Sequence, residues 1–326
     1  MKQKILEMLE ETDGFVSGQK MCETLSVSRT AVWKHVISLR RAGYKIESVT
    51  RKGYRLVEKP DLLNEQTFAA NGIEKLVRGR IHLFNELDST NEEAKRCAAR
   101  GEPDGSLFVS DRQIRGKGRR GREWISPPGK DLFISLLYRP DIPMESASMV
   151  TLVTALACAL TIEKCTGARP VIKWPNDVVV GEKKVAGILT EMGVEIDHID
   201  YLVIGIGFNL NRSNFDDTIS DMATSLKKET GKSVNRAEFL AEFLKTFRPM
   251  YSLFLESLSM KPFLEDYNRR LVNRDRQVRI LQKGRSLTCL SKGINEQGGL
   301  MVEDEKGESM EIRSGEVSVR GLYGYV

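Results

Sequence analysis

The sequence predicts an α+β fold: a basic three-helix unit closed by a hairpin, then mixed strands and helices, then a string of short strands. Three observations predict it. Apolar residues recur at helical spacing through the first forty positions and then occupy two short β-type runs. The net charge of +5 lies wholly in residues 1–60, which hold 12 Lys and Arg against 7 Asp and Glu, while the rest of the chain holds 38 of each. Beyond residue 100 the apolar runs are short and rich in Val, Ile, Leu and Phe, apart from one fourteen-residue stretch, Met149–Ile162.

The 326 residues are 40% hydrophobic and 29% charged, an ordinary globular composition and not a disordered one. Met149–Ile162 is too short to span a bilayer and is expected to be a buried helix. Met1-Lys2-Gln3-Lys4, followed by Glu7, Glu10 and Glu11, carries no apolar signal region, so neither secretion nor a membrane partner is expected. Five scattered cysteines without a C-x-x-C point to the reducing cytoplasm and away from a disulfide framework or a zinc site. Three well-separated histidines support neither a histidine metal site nor a Ser/His/Asp triad.

In residues 1–60, Ile5, Met8 and Leu9 mark a first helix ended by Gly14, and a second runs from about Gln19 to Leu25. Ser28 is placed to cap a third, Arg29–Arg41, whose core stripe is Val32, Val36 and Leu39, with Gly43 as its stop. Arg29, Thr30, Lys34, Arg40 and Arg41 are left to face outward, and Trp33 is expected to pack. Lys45–Thr50 and Tyr54–Val57 form two β-runs joined by Arg51-Lys52-Gly53. Three helices and a basic hairpin make a winged helix-turn-helix. Its third helix would enter a major groove and its wing would touch phosphate, with Ser28, Arg29, Thr30, Lys34, Arg51 and Lys52 as the DNA-binding set. Lys59-Pro60-Asp61 reads as a linker.

Gly116-Lys117-Gly118-Arg119-Arg120-Gly121-Arg122-Glu123-Trp124 contains G-x-G-x-x-G, and Asp141 lies twenty residues beyond Gly121. A dinucleotide fold is still rejected, because that fingerprint opens a helix and here Ile125-Ser126-Pro127-Pro128-Gly129 follows. No G-K-[ST] follows, so it is not a P-loop either. What remains is a cationic loop between the strands Leu107–Ser110 and Leu132–Tyr138. Arg115, Lys117, Arg119, Arg120 and Arg122 repel one another until an anion arrives. The loop should therefore order around a phosphate-bearing ligand, or else contact nucleic acid nonspecifically.

Val171–Asp177 starts as a strand and breaks at Pro175. Val178–Val180 and Val185–Leu189 then form a hairpin that brings Lys173, Asn176, Asp177 and Lys184 toward one pocket. The strand Tyr201–Gly207 ends in Gly205-Ile206-Gly207-Phe208-Asn209, where two glycines would admit a ligand against bare backbone.

Together, Asp88-Ser89-Thr90-Asn91, Gln113, G-K-G-R-R-G at 116–121, K-W-P-N-D at 173–177, K-V-A-G-I-L at 184–189 and G-I-G-F-N at 205–209 resemble the biotin–protein ligases. With the N-terminal winged helix, the resemblance is to the bifunctional ligases that also repress biotin operons. It covers nearly the whole chain. It implies three domains: a winged helix at 1–60, a class II synthetase-like mixed sheet with helices at 61–271, and a small SH3-like β-barrel at 272–326. Short β-runs at Gln277–Leu281, Leu287–Ile294, Leu300–Glu303, Glu311–Ser314 and Val317–Arg320 agree with the last.

The resemblance also implies roles. Lys184 and Arg119 would be catalytic. Ser89, Thr90, Asn91, Gln113, Gly116, Lys117, Gly118, Arg119, Lys184, Gly187, Gly205 and Gly207 would bind biotin. Arg119, Arg120, Arg122, Trp124, Lys173, Asn176 and Asn209 would bind ATP, with Trp124 stacking on adenine, and Asp177 would serve Mg²⁺. Biotinyl-5′-AMP would form and pass its acyl group to a lysine of a biotin carboxyl carrier protein. The adenylate would favour a homodimer that binds operator DNA.

Simpler roles stand beside these: Trp174 as core, Ser89 and Thr90 as a helix cap, Lys183 as a solvated neighbour of Lys184. Two sequence departures stand out. Lys117 replaces the family's usual arginine and loses its bidentate fork, and Phe208 replaces an aliphatic residue. Other readings remain open here: a ligand-sensing transcription factor without activity, a ligase for another carboxylate such as lipoate, and a ligase whose N-terminal domain no longer binds DNA.

Overall fold

The computed structural model covers the whole chain and describes all residues except 42, 59–60, 283–284, 314–316 and 322–326. Lys59 and Pro60 of the expected linker, and Ser314 at the end of one expected β-run, lie outside the described residues. Two compact units are present, Met1–Leu62 and Leu63–Val326.

In the first unit, α1 (Lys2–Glu10), α2 (Gly18–Leu25) and α3 (Arg29–Arg41) are followed by β1 (Lys45–Val49) and β2 (Gly53–Glu58), paired antiparallel. Ser17 caps α2 by accepting from the Lys20 amide, and Ser28 accepts from the Ala31 amide at 3.2 Å at the start of α3. Val32, Val36 and Leu39 are buried with Ile5, Leu9, Met21 and Ile46. Gly53 has φ +106 and backs onto Val16, so a side chain there would be strained and would meet backbone.

The second unit centres on a seven-stranded mixed sheet of β3 (Ile81–Phe84), β4 (Ser106–Ser110), β5 (Leu132–Tyr138), β6 (Val171–Lys173), β7 (Asp177–Val180), β8 (Lys183–Glu195) and β9 (His198–Phe208). Their spatial order is β3-β4-β5-β9-β8-β7-β6, parallel only at β3–β4. The unit's other helices are α4 (Glu65–Ala70), α5 (Thr90–Ala98), α6 (Ala147–Thr166), α7 (Leu226–Thr230), α8 (Arg236–Ser257) and α9 (Leu264–Arg270).

Alternation along the strands sorts side chains between two faces. Leu107, Val109, Ile134, Leu136, Ile204 and Ile206 join α6 and α8 in the main core. Phe108, Leu137 and Val203 pack against Ala94 and Ala98 of α5 on the other face. The α6 helix is the expected buried one. By length and composition Met144–Thr166 could cross a membrane, but 83% of its most apolar window is buried inside the fold.

β10 (Gln277–Gln282), β11 (Arg285–Ile294), β12 (Leu300–Glu303), β13 (Ser309–Ile312) and β14 (Val317–Gly321) form an antiparallel sheet of order β13-β12-β11-β10-β14. Its Val278, Ile280, Cys289, Ile294, Leu300 and Val302 belong to the same core as α6 and α8. Trp174 is core, 2% exposed, and its indole nitrogen donates to the Gly298 carbonyl at 3.2 Å.

Candidate functional site

The register of β5, β9 and β8 lays out the floor of the site. Phe133, Gly207 and Gly187 form one rung, Ser135, Gly205 and Leu189 the next, and Leu137, Val203 and Glu191 a third. The glycines of the first two rungs leave a trough in the sheet on its α5 side. Two side chains occupy that relief. A Cβ on Gly205 would stand 2.7 Å from Asn91 Cγ, and one on Gly187 would stand 2.8 Å from the Trp124 ring and from Lys184 Nζ. The bare backbone expected to meet ligand therefore first admits Asn91 and Trp124.

α5 begins beside the trough. Ser89 holds the N-cap position without a side-chain cap bond. The Thr90 amide instead donates to Gln113 Oε1 at 2.8 Å, so the loop caps the helix. Ser135 Oγ lies 2.7 Å from Thr90 Oγ1 and 2.6 Å from Asn91 Oδ1. Asn91 Nδ2 donates to Glu191 and to the Leu189 carbonyl. Asp88 accepts from both terminal nitrogens of the Arg96 guanidinium, and this pairing holds its carboxyl down at about 2.

The segment between β4 and β5 folds over the trough as a narrow ribbon. Trp124 N donates to Gly116 O at 2.8 Å, and Gly118 N to Arg122 O at 2.7 Å. Between them Arg120 takes φ +59 and Gly121 φ +72. Buried arginines clamp both ends. Arg236 meets Asp111 at 2.6 Å, and Arg212 meets Asp131 at 2.7 Å.

Under the ribbon is a narrow pocket, partly open to solvent. Ser89, Thr90, Asn91 and Gln113 line it from the α5 side, and Lys117, Gly118, Arg119 and Trp124 from the ribbon. Asn176, Lys184, Gly187, Gly205 and Gly207 line it from the sheet. Arg119 Nη1 donates to Asn176 Oδ1 at 2.9 Å. Burial lowers the Arg119 pKa, and Arg120 and Arg122 lower it further against the pull of Asp177. A cation made uncomfortable in this way gains most from an incoming anion. Lys184 Nζ lies 2.6 Å from Asp177 Oδ1 and 4.9 Å from the centre of the Trp124 ring.

Several expected residues stand elsewhere. Gly116 is buried against Trp124 and Ser126 and does not line the pocket. Arg120 turns to a neighbouring cavity because its left-handed backbone redirects the side chain. Arg122 closes the ribbon through its carbonyl while its residue stays exposed. Lys173 is buried in β6. Asn209 is buried too, and its amide braces the β8 backbone by donating to Val185 O. Lys183 is tied down, its Nζ donating to Ser220 O at 2.8 Å.

Sequence reasoning missed Ser135, whose signal is a hydroxyl inside the otherwise apolar run Leu132–Tyr138. It also missed Glu191, Glu92 and Lys95, which carry no local signal. No cluster of three or more His, Cys, Asp or Glu that could hold a metal is found among the described residues. Asp177 is a single carboxylate engaged by Lys184.

On the first unit, Thr30, Trp33 and Lys34 share the exposed face of α3, and Arg51 and Lys52 are exposed at the hairpin tip. Arg29 Nη2 donates to Gln19 at 2.8 Å. Two expectations are corrected. Trp33 is 53% exposed and does not pack. Arg40 is not free, since it donates to Ile46 O and Ser48 Oγ and ties α3 to β1.

Family profiles match this architecture part by part: an HTH domain over residues 2–55, the Biotin/lipoate A/B protein ligase family over 83–209, and a Biotin protein ligase C terminal domain over 275–320. The chain is 36% identical over 315 residues to the bifunctional ligase/repressor BirA of Bacillus subtilis, covering 94% of this chain and 95% of that one. It is 29% identical to the protein of that name from Escherichia coli, over 97% and 96% of the two chains. Among solved structures, the biotin protein ligase of Aquifex aeolicus in complex with biotin and ATP superposes with a TM-score of 0.66 at 34% identity, covering 74% of this chain and 99% of that one. The chain belongs to the family of biotin protein ligases, in its bifunctional ligase/repressor branch.

Proposed function

We infer that this protein is an ATP-dependent biotin–protein ligase that also acts as a biotin-responsive repressor. In the first step a biotin carboxylate oxygen attacks the α-phosphorus of ATP. The bond to the bridging oxygen breaks, and pyrophosphate leaves with that oxygen and its electrons. In the second step a lysine amine of a biotin carboxyl carrier protein attacks the acyl carbon, loses a proton and expels AMP. The observation that carries this reading is one pocket bounded by Arg119, Lys184 and Trp124 beneath a closed cationic ribbon.

Bringing a carboxylate to a polyphosphate is electrostatically unfavourable, and fixed cations offset it. Lys184, at the pocket edge, bridges the carboxylate and the α-phosphate as charge transfers between them. Arg119, held by Asn176, grips the adenylate. The Trp124 indole gives adenine an apolar face. Ser89, Thr90, Asn91 and Gln113 supply the hydrogen-bonding end of the pocket for the biotin ring. The ribbon excludes water from the reactive mixed anhydride.

Mg²⁺ would arrive with the nucleotide and neutralise phosphate charge. It commonly keeps several waters and uses one or two carboxylates, and Asp177 beside Lys184 suits that limited demand. Residues 1–60 bind operator DNA, 61–271 carry catalysis, and 272–326 form the C-terminal domain. Adenylate-stabilised closure of the ribbon favours the homodimer that reads paired half-sites. Five cysteines, free among the described residues, accord with a cytoplasmic site of action.

Pyrophosphate release with biotin, lipoate or octanoate tests the reading. Release with biotin alone is expected, and equal release with lipoate would move the protein to another branch of the superfamily. Sedimentation with and without biotin plus ATP tests the dimer, and an unchanged dimer population would contradict it.

A further inference from the structure

The ribbon is pinned to the body of the molecule by a chain of alternating charges that reaches past the pocket. Lys117 Nζ lies 2.7 Å from Glu92 Oε1 in the first turn of α5. The same Glu92 oxygen lies 2.6 Å from Lys95 Nζ, one helical turn on. Lys95 Nζ in turn lies 2.8 Å from Glu191 Oε1 on β8, and Glu191 Oε2 accepts from Asn91 in the pocket wall. Glu92, Lys95 and Glu191 keep only 25–28% of their side-chain surface exposed, whereas Lys117 keeps 49%. Three charges are therefore fixed on the body, and the fourth rides on the ribbon one residue before Gly118 and Arg119, which face the pocket.

We propose that Glu92 is a positioning residue: through Lys117 it holds the glycine-rich ribbon down over the acyl-adenylate and sets how long that intermediate is kept. Glu92 does not line the pocket, so it acts on retention and leaves the bond-making step alone. The pairing also gives a use to the lysine at 117. A compact ammonium can share one carboxylate oxygen with Lys95, where a guanidinium fork would seek both oxygens. This inference rests on the ligase reading above.

The test uses the full-length protein loaded with biotin and α-labelled ATP, then chased with unlabelled biotin and ATP. Glu92→Gln is expected to release labelled adenylate about two- to fivefold faster, the range of one partly exposed pair. Its pyrophosphate burst rate at saturating substrates should match the wild type. Lys117→Gln, a change on the exposed ribbon that leaves α5 intact, should give the same acceleration. The charge reversal Glu92→Lys with Lys117→Glu should bring release back toward the wild-type rate, although each reversal alone speeds it. Added salt should hasten release from the wild type more than from Glu92→Gln. Unchanged release from both single neutral variants, or no recovery in the double reversal, overturns the proposal. If the wild type traps no labelled adenylate at all, the ligase reading itself fails, an outcome distinct from trapping with unchanged release.

Discussion

The Trp124 indole rests on the backbone of Gly207, its Nε1 2.6 Å from where a Cβ at that position would stand. Gly207 and Gly187 form one rung of the sheet, so the indole lies in a channel made by two absent side chains. This contact couples the ribbon to the floor of the pocket and sets the height at which a nucleotide would meet the ring.

Gly207→Ala should lift the indole and disturb substrate binding more than the fold. Overpacking by one methyl costs about 1–3 kcal/mol. Steady-state kinetics should show KM for ATP raised about tenfold or more, with a smaller change in Tm than in KM. An unchanged KM would mean that the indole is free to move aside.

Lys184 lines the pocket and its ammonium lies 2.6 Å from Asp177 Oδ1. Lys184→Gln should slow single-turnover pyrophosphate release about 10²- to 10³-fold, the usual cost of one preorganised charge-stabilising group. Adding Asp177→Asn should recover any stability lost through the unpaired carboxylate without restoring the rate. Recovery of the rate would mean that Lys184 only neutralises Asp177.

Arg212 and Asp131 are 7% and 0% exposed, and Arg212 also donates to Ile125 O at the end of the ribbon segment. Burial pushes the Asp131 carboxyl up, against Arg212 and the Leu210 and Asn211 amides. Removing one partner strands a charge. Arg212→Met should cost about 3–5 kcal/mol in urea unfolding, and the double change Arg212→Met with Asp131→Asn should cost less. A double change that costs as much as Arg212→Met alone would show that the stranded carboxylate carries no penalty.

On the first unit, Lys34→Ala and Arg51→Ala should each weaken DNA binding in mobility-shift titrations. Each should reduce the salt slope by about one if it meets phosphate. Trp33→Ala should change the preference among operator variants more than the salt slope, as expected of an apolar contact. None of the three should alter pyrophosphate release, because neither the exposed α3 face nor the hairpin tip lines the pocket.

Glu92 supplies a pH test. Burial raises its pKa, but the hydrogen bonds from Lys117 and Lys95 outweigh burial and leave it below the ordinary 4.5. For a depressed carboxyl, the stabilisation is complete above the unfolded value and is lost as pH falls below it. Among the charges facing it, Lys95 is held above its usual value, with Glu191 and Glu92 as the raising partners against burial. Adenylate retention should therefore stay flat from pH 8 to about 5 and fall only in stronger acid. A fall centred between pH 6 and 7 would point to another group.

Local pattern made part of this legible. α3 and β5 follow from a clean 3.6-residue stripe and a run that is apolar except at Ser135, and both have the extent their patterns imply. β8 and β9 run well past their apolar stretches because cross-strand pairing, and not hydrophobicity, sets the end of a hairpin. Trp33 lies one residue beyond Val32 on the helix, a step of about 100° off the buried stripe, and its apolarity hid that offset. The motif residues around Arg119 and Lys184 were visible as cations beside glycines. Ser135 and Glu191 were not, because only the register across β5, β9 and β8 brings them to α5. Lys173 and Asn209 sit inside the motifs but point into the frame, which spacing alone does not separate from the pocket.

The central claim is that the ribbon at 115–124 and Lys184 together hold an activated biotin. A crystal structure of the full-length protein with biotin and ATP tests it most directly. The expected result is biotinyl-5′-AMP beneath the ribbon, with Lys184 Nζ within hydrogen-bonding distance of the acyl and α-phosphate oxygens and Lys117 still on Glu92. A ribbon turned out to solvent above a bound adenylate, or a Lys184 still paired only with Asp177, would contradict it.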